Sequence, residues 1–344
     1  MSRIVRVLIV DDSAFVRKVV KQMLQRSPFL EVVGTAYDGE EALQKVEELN
    51  PDVVTLDLNM PRSSGIDFLR TQMQRRPIPV VVLSNASETG DLVMQALDAG
   101  AVDVVRKPTA LANDKVFEIA DDLVAKVKAI AFAGVKPRVA TLVQPLSPPK
   151  QTPRSTETDI VLIGVSTGGP QALKRIIPQF PKNFPVPIAM VLHMPVGFTD
   201  LFARNLNDFA QINVTEARDG DLLRAGSAVL APAGQHMSFA RTRGGVISRL
   251  TSEPADSLHR PSVDVMFRSA AEVFGSRALS VVLTGMGSDG TSGAAWIKAK
   301  GGRVFTEAEE SCVVYGMPRS VVEAGLSDRM IPLDRMAEAI LGAL

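Results

Sequence analysis

Apolar residues follow two patterns along this chain. Short continuous runs at 5–10, 31–36, 53–56, 80–83 and 102–105 alternate with segments such as 15–25, 40–48 and 116–130, where apolar positions recur near i, i+3 and i+4. The runs predict strands and the recurring pattern predicts amphipathic helices, an alternation that argues for a parallel sheet with helices on both faces. It stops near residue 131 and resumes at 159, with further strands expected at 160–165, 188–192 and 279–283. Between them, 135–157 reads VKPRVATLVQPLSPPKQTPRSTE, five prolines among Ser, Thr and Gln, which predicts an extended linker. The expected fold class is therefore α/β: two doubly wound, mainly parallel-sheet domains over 1–131 and 158–344, joined by a Pro-rich linker at 132–157. Segments 227–230 and 245–250, with a Gly-rich turn between them, predict a hairpin added to the second sheet.

A chain of 344 residues suits two cores better than one. Lys+Arg and Asp+Glu both number 38, so no net field favours a polyanion and no nucleic-acid partner is expected. The single cysteine, Cys312, excludes an internal disulfide and a multi-cysteine metal site. The N-terminal run is short and ends in two aspartates, the pattern of a buried strand rather than a signal peptide. No stretch is long enough for membrane insertion, so a cytoplasmic protein is expected.

In a doubly wound sheet, functional groups gather at the carboxyl ends of strands. Those ends carry Asp11 and Asp12, then Asp57, Ser84 and Lys107 with Pro108 behind it. Three converging carboxylates repel one another and call for a cation. Mg2+, a hard ion with oxygen ligands, fits, and Lys107 adds a further positive charge. An aspartate so placed can act as a nucleophile toward phosphorus. Taken singly, each residue has a plainer role, with Asp12 for instance a helix N-cap; the set at successive strand ends is what carries the reading.

In the second half, Ser166 follows the run IVLIGV and precedes Thr167-Gly168-Gly169-Pro170 and a helical segment. A serine there sits near free backbone N–H groups able to stabilise an oxyanion. Of three histidines, His193 closes the run VPIAMVL at another strand end and is favoured as the base over His236 and His259. Asp289, in the Gly-rich loop after LSVVL, is the expected carboxylate partner; Asp264, which reads as lying inside a helix, is the alternative, and N-capping a helix from Gly290 is the plainer role for Asp289. Residues 164–168 satisfy G-x-S-x-G, yet the order Ser, His, Asp is not that of the α/β-hydrolases.

With DD at 11–12, LDLNMP around Asp57, Ser84 and KP at 107–108, residues 3–130 resemble a response-regulator receiver domain. The resemblance implies that Asp57 takes a phosphoryl group, that Asp11, Asp12, Asp57 and the carbonyl of Asn59 hold Mg2+, and that Ser84 and Lys107 read the phosphate. It also sets Val105 where many receivers carry an aromatic switch residue. Residues 158–344, through GVSTGG, HMPVGFT, APAGQHM, HRPSVDVMF and TGMGSDG, resemble the chemotaxis protein-glutamate methylesterase (CheB) family. That implies hydrolysis of glutamyl methyl esters on chemoreceptors and, in some members, deamidation of receptor glutamines. Ser166, His193 and Asp289 would form the triad, with oxyanion donors near Thr167 and Met286 and no cofactor for the esterase. A chemotaxis histidine kinase would be the phosphodonor. A nucleic-acid-binding output and a non-catalytic scaffold are the two competing classes; the first would need a basic recognition helix after the linker, and the sequence has none.

Overall fold

The computed structural model describes residues 3–61, 64–84, 86–108, 114–131 and 158–344; the segment expected as the linker, 132–157, lies outside them. The chain divides into two compact units, Met1–Ala140 and Thr141–Leu344.

The N-terminal unit alternates strands β1 (Val5–Val10), β2 (Leu30–Ala36), β3 (Val53–Asp57), β4 (Val80–Ser84) and β5 (Asp103–Arg106) with helices α1 (Ala14–Leu24), α2 (Gly39–Leu49), α3 (Gly65–Arg75), α4 (Ala86–Ala99) and α5 (Asp114–Ala131). The strands pair in parallel in the order β2-β1-β3-β4-β5. Strands β3 and β4 are buried along their whole length, which is why they read as unbroken apolar runs. Each Val or Leu so buried contributes about 1.5–3 kcal/mol. Ser13, not Asp12, caps α1, its hydroxyl accepting the Val16 N–H, so Asp12 is left for the pocket. Strand order reverses at β1, and the carboxyl ends of β1 and β3 border the crevice this creates.

The C-terminal unit is a seven-stranded sheet in the order β14-β13-β12-β6-β7-β9-β8. Its strands are β6 (Ile160–Val165), β7 (Ile188–Leu192), β8 (Asn213–Glu216), β9 (Ser227–Leu230), β12 (Ala278–Val282), β13 (Arg303–Glu307) and β14 (Arg329–Ile331), all paired in parallel. Helices α6 (Gly169–Ile176), α7 (Thr199–Phe209), α8 (Val263–Phe274), α9 (Thr291–Ala299), α10 (Met317–Glu323) and α11 (Leu333–Leu341) accompany it. Strand β6 lies between β7 and β12, so here too the order reverses mid-sheet. The loops leaving β12, β6 and β7 therefore meet at one rim.

The expected hairpin is corrected. Residues 227–230 form β9 inside the parallel sheet. The partner of β11 (Gly245–Thr251) is β10 (His236–Thr242), and the two make a separate antiparallel ribbon. Strand β10 was missed because polar residues interrupt its run, HMSFART, whereas the buried run SAVL stood out.

Candidate active site and phosphorylation pocket

In the N-terminal unit, Asp11 and Asp12 follow β1 and Asp57 ends β3. One carboxylate oxygen from each lies within 4.8 Å of the others. Asp11 and Asp57 are buried and Asp12 is exposed. Lys107 Nζ stands 2.9 Å from Asp57 Oδ2 and 3.0 Å from Asp11 Oδ2. Burial pushes the Asp11 carboxyl up to about 6; the Lys107 ammonium opposes this and Asp57 adds to it. Among the described residues, the buried Asp11 Oδ2 has the Lys107 ammonium as its partner. Three carboxylates whose oxygens crowd within 4.8 Å, two of them buried, form an all-oxygen donor set that fits a divalent cation of the Mg2+ type. Asn59 lies exposed two residues past Asp57. Ser84 ends β4, and its carbonyl accepts the Lys107 N–H at 3.0 Å, which ties the β4 and β5 ends together.

Sequence reasoning missed Arg17. From α1 its Nη1 donates to the carbonyls of Asp11 at 2.7 Å and Asp12 at 3.0 Å, clamping the loop that carries both carboxylates. Strand β5 supplies Val104 and Val105, both fully buried, and no aromatic ring.

In the C-terminal unit, Ser166 follows β6, His193 follows β7 and Asp289 sits in the loop after β12, so three neighbouring strands deliver the three residues. The turn after Ser166 passes through Gly168 at φ +80°, where a Cβ would also lie 2.6 Å from Val313 Cβ. Only glycine enters α6 this way.

His193 Nε2 meets Asp289 Oδ2 at 2.8 Å. Asp289 Oδ2 also accepts the Val263 N–H at 2.8 Å, and Oδ1 accepts the Asp264 N–H and the Ser262 hydroxyl, each at 2.9 Å. The carboxylate thus caps α8 while it holds the imidazole. Burial alone would raise its pKa, but the His193 bond and the backbone N–H groups bring it well below the usual carboxylate range. Asp264, the alternative partner, turns the other way. Its Oδ1 accepts from Gly290 N–H at 2.9 Å and Gly293 N–H at 2.6 Å, so it caps α9 and leaves His193 to Asp289. The N-cap of α9 is Gly290, which removes the plainer role for Asp289.

His236 is fully buried, with Nδ1 accepting the Ser262 N–H at 3.2 Å and Nε2 donating to the Pro254 carbonyl at 3.2 Å. Burial lowers its pKa, and with both nitrogens engaged it supports Ser262 rather than acting as a base. His259 stacks on His193 with ring centroids 4.1 Å apart. With Nε2 committed to Asp289, the nitrogen open to take a proton is Nδ1, which is buried and has no hydrogen bond among the described residues.

Ser166 is 6% exposed, and no hydrogen bond joins it to His193. Its N–H is spent on the Thr284 carbonyl at 3.0 Å, so it is no oxyanion donor. Thr167 and Met286 have no such partner for their N–H groups among the described residues. Gly285 brings the Met286 loop against the serine, close enough that a Cβ there would stand 2.8 Å from Ser166 Cβ.

Two parallel α/β units, one with a carboxylate–lysine pocket and one with Ser, His and Asp at a single rim, have the features of a receiver and a hydrolase in one chain. Comparison with known proteins agrees with that class. A response regulator receiver domain model matches residues 7–116 and a CheB methylesterase model matches 161–340. The chain belongs to the CheB methylesterase family. It is 48% identical over 333 residues to protein-glutamate methylesterase/protein-glutamine glutaminase 5 of Myxococcus xanthus, covering 96% of each chain. It is 40% identical over 366 residues to protein-glutamate methylesterase/protein-glutamine glutaminase 1 of Oleidesulfovibrio alaskensis, covering 99% of each. The crystal structure of the Thermotoga maritima CheB methylesterase catalytic domain matches with a TM-score of 0.53 at 42% identity, over 54% of this chain and 99% of that one. Among the described residues, no helix is long and apolar enough to cross a membrane.

Proposed function

We propose that this chain is a cytoplasmic protein-glutamate methylesterase that hydrolyses glutamyl methyl esters on chemoreceptor signalling domains, under control of phosphorylation at Asp57. The carrying observation is the His193–Asp289 bond at the rim where Ser166 also stands. Ser166 Oγ attacks the ester carbonyl carbon and passes its proton to His193 Nδ1. The Thr167 and Met286 N–H groups stabilise the oxyanion. The tetrahedral intermediate collapses, methoxide takes the proton from His193, and methanol leaves. A water deprotonated by His193 then attacks the acyl-serine, releasing the glutamate and restoring Ser166. Asp289 holds the ring and stabilises the imidazolium. With a glutamine side chain the same steps expel ammonia, in keeping with the glutaminase half of the relatives' names.

In the receiver, residues 1–131 of the expected domain plan, Asp11, Asp12, Asp57 and the Asn59 carbonyl would hold Mg2+. Bound there, the ion would neutralise charge developing on the transferred phosphoryl group. Asp57 accepts phosphate from a chemotaxis histidine kinase, and Ser84 and Lys107 contact the phosphoryl oxygens. With valines at 104 and 105, the signal leaves β5 without an aromatic rotamer change.

Methanol release from a methylated receptor tests both halves. The full-length protein should release methanol, and a small phosphodonor such as acetyl phosphate with Mg2+ should raise the rate. Asp57→Asn should remove that increase. No methanol from the phosphorylated wild type would contradict the activity, and an undiminished increase in Asp57→Asn would contradict the regulation.

A further inference from the structure

The proposed mechanism leaves one fully buried carboxyl in the C-terminal unit unused: Glu307, the last residue of β13. Its Oε2 accepts the Thr284 N–H at 2.8 Å and its Oε1 accepts the Ser311 hydroxyl at 2.9 Å. Thr284 is a junction for the reacting end of the site. Its carbonyl accepts the Ser166 N–H at 3.0 Å. Its hydroxyl donates to the Thr167 carbonyl and accepts the Val314 N–H, both at 2.9 Å. One residue further, Gly285 packs against Ser166, and Met286 follows. The nucleophile and both candidate oxyanion donors thus hang on atoms that Thr284 fixes.

We propose that Glu307 is a positioning residue of the esterase: by holding Thr284 it sets where Ser166 Oγ stands relative to the Thr167 and Met286 N–H groups. The inference rests on the triad reading. An apolar side chain at 307 would leave the buried Thr284 N–H without its acceptor, so the carboxyl is what fixes this strand end.

Burial pushes the Glu307 carboxyl up to about 7, with the Cys312 thiol and Asp334 among the groups facing it. Both protonation states keep the Thr284 bond. When neutral, the carboxyl can donate from Oε1 to Ser311 Oγ, and that hydroxyl can turn to the Ala308 carbonyl, 3.1 Å away. Glutamine keeps the carbonyl acceptor for the Thr284 N–H and offers an N–H toward Ser311 as the neutral acid offers its O–H, with one further N–H. The carboxamide should therefore preserve the junction, and an isosteric apolar residue should not.

The test compares Glu307→Leu and Glu307→Gln in the full-length protein, with kcat, KM and Tm measured on methylated receptor. Glu307→Leu should lower kcat about tenfold or more with KM within about twofold, the pattern of a disturbed oxyanion site. Glu307→Gln should stay within about threefold of wild type, and its Tm should exceed wild type at pH 8 and converge toward pH 5. The sign follows from the raised pKa, since the wild-type carboxyl is most favourable below its unfolded value and costs stability as pH rises through about 7. Wild-type kcat in Glu307→Leu, or an equal loss in both variants, would overturn the proposal. If the leucine variant does not fold, Glu307→Met, an unbranched apolar side chain of similar length, decides: a kcat near wild type overturns it. A Ser166→Ala variant that still turns over would sink the triad reading instead, so the two failures are distinguishable.

Discussion

Ser166→Ala should reduce methanol release by on the order of 10⁴-fold or more while leaving the fold intact. The loss is large because no other group can form the acyl intermediate; what remains is the contribution of the oxyanion donors and substrate binding. The fold should survive because Ser166 Oγ makes no hydrogen bond among the described residues, and the backbone bond from residue 166 to the Thr284 carbonyl does not depend on the side chain. Tm should stay within about 2 °C of wild type, as for a change of a few tenths of a kcal/mol. Wild-type methanol release by purified Ser166→Ala would mean another nucleophile.

Asp289→Asn should lose both activity and stability. The carboxylate accepts four hydrogen bonds, two on each oxygen. An amide has one acceptor oxygen, so its NH2 would face donors that lose their partner. The imidazole would no longer be held with its proton on Nε2, and kcat should fall by about 10³–10⁴-fold, the scale seen when a triad carboxylate is replaced by its amide. The α8 cap is damaged as well. At about 1–2 kcal/mol for a lost cap, Tm should drop by about 3–6 °C. Since the folded-state pKa of Asp289 is depressed, its stabilisation is present above about pH 4 and fades only in stronger acid. The Tm gap should therefore hold steady from pH 5 to 8. A variant of unchanged Tm and kcat would remove Asp289 from both roles.

Much of the fold was legible because parallel strands buried on both faces are written as continuous apolar runs. Strands β1, β6 and β7 begin and end where those runs do. The positions of the candidate site residues were legible for a related reason: carboxyl ends of such strands converge at a switch point, and Asp11, Asp57, Ser166 and His193 stand at those ends. What escaped depends on loops meeting in space. In sequence, Asp289 is preferred over Asp264 because Asp264 reads as lying inside a helix, but that Asp264 caps α9 shows only where α8 crosses the β12 loop. His236 and His259 also separate only in three dimensions, one locked into Ser262 and the other stacked on His193. The Thr284–Glu307 junction spans 23 residues and two strands, with no local spacing to betray it. The ribbon strand β10 was hidden by the polar residues that interrupt its run.

The central claim is covalent catalysis by Ser166 activated through His193 and Asp289. The most direct measurement is peptide mapping of the full-length protein after treatment with a serine-directed phosphonate. The adduct should fall on the peptide containing Ser166, at a rate that collapses in the Asp289→Asn variant. An unlabelled Ser166, with the protein still hydrolysing methyl esters, would contradict it.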